Sequence, residues 1–302
     1  MRTEFTLESL RKDVMLSCVM TVCDNPKGIV QFSHGMAEHK ERYLPLMEYL
    51  SKRGYICIIN DHRGHGQSVT SEEQLGFFGT DEEGIAIVED TAVVTDYVKE
   101  RYPGLPVTLF GHSMGALVAR CYLQQHDGNI DKLILSGAPC SNPATKTAIA
   151  LTKTVQFLKG DFYRSPLLQS LSTGTYDKKV KGLYKNNWLS ANVKNVIAYN
   201  EDPLCGFAFT VNGYLNLFHL LRNCYTKKRY QVQNPSLPIL MIAGEKDPVT
   251  GGTNAFIAQK VFLQETGYPD VDQKLYAGLR HEILMEDNKE EIYEDIVKFM
   301  EK

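Results

Sequence analysis

The sequence predicts an α/β fold: a mostly parallel sheet flanked by helices, with a long helical stretch inserted between two core strands. Three observations carry this reading. Short apolar runs, each bounded by turn residues, read as strands covered on both faces. Helical stripes separate them, and repeated strand, helix, strand gives a sheet with right-handed crossovers. From about residue 141 to 233 the alternation stops, leaving helical patches rich in Lys, Leu, Tyr and Asn.

In chain order, residues 3–22 are more polar and fit an edge hairpin. The apolar runs follow: GIVQFSHG at 28–35, YICIIND at 55–61, VTLFG at 107–111, KLILSGAP at 132–139, ILMIAG at 239–244 and QKLYAG at 273–278. Ile87, Val94 and Val98 make a helical stripe that Pro103 closes. Leu117, Val118, Cys121 and Tyr122 make another after Ser113. Ile292, Ile296, Phe299 and Met300 make the last, with Asn288 and Glu291 spaced as a capping box at its start. The expected division is a core of residues 1–140 and 234–302 and a helical cap of residues 141–233.

Composition narrows the function. The chain has 302 residues, 43% of them hydrophobic, and a net charge of -3 with no basic block, so nothing recommends nucleic acid as a partner. The cysteines (Cys18, Cys23, Cys57, Cys121, Cys140, Cys205 and Cys224) are odd in number and lack metal-ligand spacing. They read as reduced thiols, with no metal site and a reducing compartment. The amino-terminal residues show no apolar leader, and no run approaches the roughly 18 apolar residues of a membrane span. The expectation is a soluble cytoplasmic protein.

The chemistry centres on GHSMG at 111–115, between a strand and a helix. A Gly-x-Ser-x-Gly pentapeptide means little alone, but in this context it forms a sharp turn presenting Ser113 at a helix amino terminus. Gly111 and Gly115 are expected to remove side chains that would collide with the serine. A serine hydroxyl needs a base. On such a turn the partners follow in the order serine, acid, histidine, each just beyond a later strand. GEKDPV places Asp247 there and LRHE places His281 after the next strand. Glu245 competes for the acid position, which the Asp before Pro at the loop tip fits better. The oxyanion hole needs two backbone N–H groups: Met114, after the nucleophile, and Met36, in the loop QFSHGMAEH after an early strand. Gly35 lets that loop turn inward, His34 reads as a structural hydrogen-bonder, and Glu38 and His39 lie either at the pocket mouth or in a solvated loop.

These motifs, with SHGMAEHKERY at 33–43, DHRGHGQS at 61–68, NEDPLCGFAFTVNGY at 200–214 and GLRHEILME at 278–286, resemble the monoacylglycerol lipase and bacterial lysophospholipase branch of the serine α/β-hydrolases, the serine aminopeptidase-like hydrolase family. The resemblance implies an eight-stranded core sheet with a helical cap over the serine. It also implies a Ser113, Asp247, His281 triad, oxyanion donors at Met36 and Met114, and a structural loop at DHRGHGQS. The leading expectation is a carboxylic ester hydrolase for single-chain lipid esters that needs no cofactor. Its partner is a small lipid or ester molecule, and the cap allows transient contact with a membrane surface; the oligomeric state stays open. An esterase for small or aromatic esters, an aminopeptidase using Asp161, Glu201 or Asp202, and a non-catalytic ligand-binding protein are the alternatives. Cap residues available to hold an acyl chain are Phe157, Leu158, Phe162, Leu167, Leu168, Trp188, Leu189, Phe207, Phe209, Leu215 and Phe218.

Overall fold

In the computed structural model, which describes residues 1–79, 83–180 and 182–302, the opening hairpin is β1 (Arg2–Glu8) and β2 (Met15–Thr21). The remaining strands are β3 (Gly28–Ser33), β4 (Tyr55–Asn60), β5 (Val107–His112), β6 (Lys132–Ser136), β7 (Ile239–Gly244) and β8 (Val271–Tyr276). They form one eight-stranded sheet in the order β1-β2-β4-β3-β5-β6-β7-β8, parallel from β4 onward, with β2 antiparallel to β4.

Neighbouring residues of each apolar run point to opposite faces, and both faces are covered. Ile29, Ile56, Leu109, Leu133 and Met241 pack beneath α2 (Ile85–Arg101), α3 (Met114–His126) and α9 (Thr253–Thr266). Val30, Cys57, Phe110, Ile134 and Ile242 pack beneath α1 (Leu44–Ser51) and α10 (Lys289–Glu301). Unbroken apolar runs are the sequence trace of this double covering. The helices α1 and α9 were not among the predicted elements. The capping box is also not made. Asn288 stands at the start of α10 without a side-chain cap, and Glu291 instead accepts a hydrogen bond from Lys274 Nζ at 3.0 Å.

Between β6 and β7 lie α4 (Thr145–Lys159), α5 (Pro166–Ser172), α6 (Gly174–Lys179), α7 (Val193–Glu201) and α8 (Val211–Cys224), and no strand is found there among the described residues. The helix α8 anchors this cap. Its Leu215, Phe218 and Leu220 join Leu117, Val118 and Cys121 of α3, Ile149 of α4 and Leu168 of α5 in one buried cluster. All seven cysteines are free thiols, five of them buried. Among the described residues no helix is long and apolar enough to cross a membrane.

The tightest approach in the sheet is at α3's first turn. A Cβ on Gly115 would lie 1.9 Å from the Ser33 carbonyl oxygen at the end of β3. Gly115→Ala should therefore destabilise the protein by about 1–3 kcal/mol or more, as overpacking does. Gly128→Ala, whose Cβ would meet only Gln233 Oε1 at 3.5 Å, should cost little. Urea unfolding of the two variants checks the ranking.

Candidate active site

Ser113 sits where β5 turns into α3, with φ 54° and ψ -117°. A non-glycine residue there is strained, by about 1–3 kcal/mol. Its N–H donates to the Ser136 carbonyl at 2.9 Å, which fixes the turn against β6. The glycines around it are fixed by close backbone contacts. A Cβ at Gly111 would fall 2.5 Å from the Gly115 carbonyl oxygen, and one at Gly115 would strike Ser33. The nearest collisions they avoid are with α3's first turn and the end of β3.

The loops after β7 and β8 bring the two partners to this turn. His281 Nε2 lies 2.8 Å from Ser113 Oγ, and His281 Nδ1 lies 2.8 Å from Asp247 Oδ2. The other Asp247 oxygen accepts the Val249 N–H at 2.8 Å, so the carboxylate is held at both ends. Glu245 is exposed and accepts the Gly278 N–H at 3.1 Å, away from the histidine. The His281 ring packs between His112 and Trp188, at centroid distances of 4.8 and 5.2 Å. Gly137, at φ 57°, leaves room for it, since a Cβ there would sit 3.0 Å from the ring. Burial disfavours the charged imidazole. The charge and hydrogen bond of Asp247, with the charges of Glu282 and Glu38, outweigh that and raise the His281 pKa above its ordinary value.

The loop after β3 faces the serine from the other side. Met36 and Met114 both line the cavity in front of Ser113. Neither backbone N–H donates to a protein acceptor among the described residues. Gly35 is hemmed in, since a Cβ there would lie 2.6 Å from Glu38 Oε1 and 3.3 Å from Ser113 Cβ. His34 is hydrogen-bonded within the loop: its Nδ1–H donates to the Gly35 carbonyl at 2.8 Å, and its Nε2 accepts the His62 N–H at 2.9 Å. Burial keeps His34 neutral. From DHRGHGQS, His65 Nε2 accepts the Ala37 N–H at 3.2 Å.

Glu38 is not in a solvated loop. It is buried, and it accepts hydrogen bonds from the Gly35 N–H and from Tyr43 Oη at 2.9 Å. Arg42 binds its second oxygen at 2.6 Å and reaches both oxygens of Glu282, at 2.7 and 2.8 Å. The residue following His281 is thus tied to the loop after β3. Sequence reasoning missed this link, although the Glu38 and Arg42 spacing of four was visible. His39 does not line the cavity. It pairs with Glu41 at 2.6 Å and Asp202 at 2.8 Å. Cys205 lies close enough that His39, Asp202 and Cys205 offer three ligand-type atoms within 4.8 Å of one another, but His39 and Asp202 satisfy each other directly.

A cavity of about 500 Å³ opens in front of Ser113 and His281, within the range of small-molecule sites. Of the expected cap residues, Trp188, Leu189, Phe207 and Phe218 line it. Leu168, Phe209 and Leu215 instead hold the cap together, and Phe157, Leu158, Phe162 and Leu167 face solvent. Tyr176, Tyr214, Leu217 and Leu221 complete the apolar wall.

A family profile described as serine aminopeptidase, S33, matches residues 24–288. Human monoglyceride lipase is 28% identical over 260 residues, covering 85% of this chain and 76% of that protein. The monoacylglycerol lipase of Mycolicibacterium smegmatis is 24% identical, covering 93% and 91%. Among solved structures, a thermostable carboxyl esterase from Bacillus coagulans in complex with glycerol superposes with a TM-score of 0.91 at 26% identity, covering 99% of this chain and 98% of that one.

The Glu38, Arg42, Glu282 bridge should be the costliest polar feature to break. Arg42→Met leaves two buried carboxylates unpaired and should lose about 3–5 kcal/mol of stability. Urea unfolding measures it, and a loss under about 1 kcal/mol would show that the carboxylates do not depend on Arg42.

Proposed function

We propose, on the premise that this chain belongs to the serine aminopeptidase S33 family of α/β-hydrolases, that it is a serine carboxylic ester hydrolase cleaving single-chain lipid esters through an acyl-enzyme. One observation carries the reading: a serine, histidine and aspartate relay with both links at 2.8 Å, opening beneath a helical cap into a cavity that Trp188, Leu189, Phe207 and Phe218 line on one side and polar side chains line elsewhere. The names of the human and mycobacterial relatives support a monoacylglycerol-type substrate.

The chemistry follows from the positions. Ser113 Oγ attacks the ester carbonyl while His281 Nε2 takes its proton. Asp247 holds the neutral imidazole with Nδ1–H directed at its carboxylate and stabilises the imidazolium that forms. The oxyanion of the tetrahedral intermediate takes hydrogen bonds from the Met36 and Met114 N–H groups. His281 then returns the proton to the departing alcohol, leaving acyl-Ser113. A water, deprotonated by the same histidine, releases the fatty acid. Nucleophile, base and anion stabilisation all come from the chain, so the reading assigns no cofactor.

The aminopeptidase alternative needs a carboxylate for the substrate ammonium. Asp161, Glu201 and Asp202 do not line the cavity, and Asp202 is engaged by His39. Asp177 does line it but accepts the Asn186 N–H at 2.9 Å, and Lys179 and Lys185 line the same wall. The esterase alternative is favoured by the likeness to the Bacillus coagulans carboxyl esterase, and acyl-chain preference separates it.

Ser113→Ala and Asp247→Asn should each reduce kcat by roughly 10⁴, while Glu245→Gln should change it little. Equal losses for Asp247→Asn and Glu245→Gln would remove Asp247 from the relay. His281 acts as base only when neutral. With its pKa raised, kcat/KM should fall on acidification through a midpoint above the ordinary histidine value of 6.5, and Asp247→Asn should move that midpoint down. Each methylene buried in the cavity is worth about 0.8 kcal/mol, so every two carbons should raise kcat/KM roughly tenfold until the cavity is filled. The measurement is kcat/KM for monoacylglycerols and p-nitrophenyl esters of increasing length, below their micelle concentrations. A profile that peaks at acetyl overturns the lipid reading in favour of small esters.

A further inference from the structure

We propose that His39, Asp202 and Cys205 form a zinc site that clamps the cap to the loop after β3. The proposal does not depend on which ester is cleaved. Each of the three side chains offers one ligand-type atom within 4.8 Å of the other two. An imidazole, a carboxylate and a thiol together suit zinc, whereas magnesium and calcium take oxygen ligands. The histidine and the aspartate stand 163 residues apart, so cysteine spacing carries no trace of the set.

The hydrogen bonds of His39 are those of a ligand already oriented. Its Nδ1–H donates to Glu41 Oε2 at 2.6 Å, and its Nε2–H donates to Asp202 Oδ2 at 2.8 Å. A zinc-bound histidine usually gives its second N–H to a carboxylate, which fixes the ring and strengthens the nitrogen as a ligand. Glu41 stands in that place and leaves Nε2 for the metal. Asp202 is held as well. Its Oδ1 accepts the Leu204 N–H at 2.8 Å, and its carbonyl accepts the Cys205 N–H at 3.0 Å. One tight turn therefore carries two of the ligands.

Charge favours a divalent ion. Both carboxylates only accept, so the His39 ring carries two protons and a positive charge that balances Asp202. Zinc takes the place of the Nε2 proton and of the Cys205 thiol proton, and both protons leave to solvent. Two protons exchanged for one divalent ion leave the charge of the cluster unchanged, which matters because His39 and Cys205 are buried. Zinc holds N and O at about 2.0–2.2 Å and S at about 2.3 Å, so Nε2 and Oδ2 part by about half an ångström and Sγ closes in by on the order of 1 Å. Asp202 and Glu41 remain partly exposed, which gives the ion an entry path. The clamp has a defined place. His39 lies two residues beyond Ala37, whose carbonyl accepts Tyr199 Oη and the Gly206 N–H at 2.9 Å. The ion adds a further tie between the same two segments.

The test uses the full metal-free chain with its thiols reduced. Cobalt serves as the probe, because zinc has a filled d shell and no visible spectrum. One cobalt per chain should bind with a thiolate charge-transfer band, which zinc displaces and excess magnesium does not. Competition with a chromogenic chelator then gives the zinc affinity. Cys205→Ser should lose the band and at least roughly tenfold in affinity, while Glu41→Gln should keep the band and lose roughly 10–100-fold. Zinc should raise the melting temperature of the wild type and not that of Cys205→Ser, since an ion bound only by the folded state stabilises it by mass action. Without zinc, Cys205→Ser should hydrolyse a soluble short-chain ester at the wild-type rate, which shows that it is folded. If it does not fold, Glu41→Gln alone decides. A cobalt spectrum without a thiolate band, a band that survives Cys205→Ser, zinc affinity unchanged in Glu41→Gln, or an unshifted wild-type melting temperature would overturn the proposal.

Discussion

The backbone of Ser113, held at φ 54° and ψ -117°, is the constraint around which the site is built. An isolated turn would relax from it, because the strain of about 1–3 kcal/mol is a sizeable share of a protein's net stability. Here the sheet prevents relaxation. The strand β5 lies between β3 and β6, so the Ser113 N–H is held by Ser136 on one side and Gly115 is pressed against Ser33 on the other. This strand order has a chemical consequence. The loop after β3 supplies Met36 beside the serine, and the turn after β6 supplies Gly137, whose missing side chain admits the His281 ring. One backbone strain, held by two neighbouring strands, therefore sets the positions of Ser113, the His281 ring and the Met36 and Met114 N–H groups together.

The buried Glu38, Arg42, Glu282 trio couples those positions electrostatically. A buried ion pair adds little net stability over apolar packing, and breaking one is costly. Its value here is geometric and chemical. Glu38 fixes Gly35 through its N–H, and Glu282 adjoins His281, so Arg42 ties the loop after β3 to that of His281. Two carboxylates against one guanidinium also leave a negative balance beside the imidazole. After Asp247, Glu282 and Glu38 are the charges that raise the His281 pKa. The contacts that hold the loops thus also make the histidine a stronger base.

The strands and the relay were legible because each rests on local signals. Double covering makes an unbroken apolar run, and the serine turn needs glycines at fixed positions. The helix α9 was less legible because its exposed Ile257 and Val261 lie opposite its buried Phe256 and Leu263, which blurs the stripe. The helix α1 is only eight residues long and buries three apolar side chains. Gly137 and the Arg42 bridge depend on contacts between distant segments, so no local pattern announces them. In the cap, composition could not sort Phe207, which lines the cavity, from Phe157, which faces solvent. Both are aromatic residues in helical or turn context, and only the placement of α8 against α3 decides which side is covered.

That placement also divides the cap into two mechanical parts. The part formed by α7, α8 and the segment leading to α7 is tied to the site itself. Tyr199 Oη and the Gly206 N–H both donate to the Ala37 carbonyl at 2.9 Å, and the Glu282 N–H donates to Leu189 at 2.7 Å. These bonds end on the residue after Met36 and on the residue after His281, so this part cannot shift without moving the loop of Met36 or that of His281. The part formed by α5 and α6 is held differently. Leu168 is its one buried side chain across both helices, and its exposed residues form the cavity mouth. Few buried apolar contacts mean a low free energy of local opening. Movement that admits a substrate is therefore least costly in α5 and α6, where it leaves the hydrogen bonds around Ala37 and Glu282 in place. The residues around Ser113 and His281 are held by one part of the cap, while the other part rests on few buried contacts.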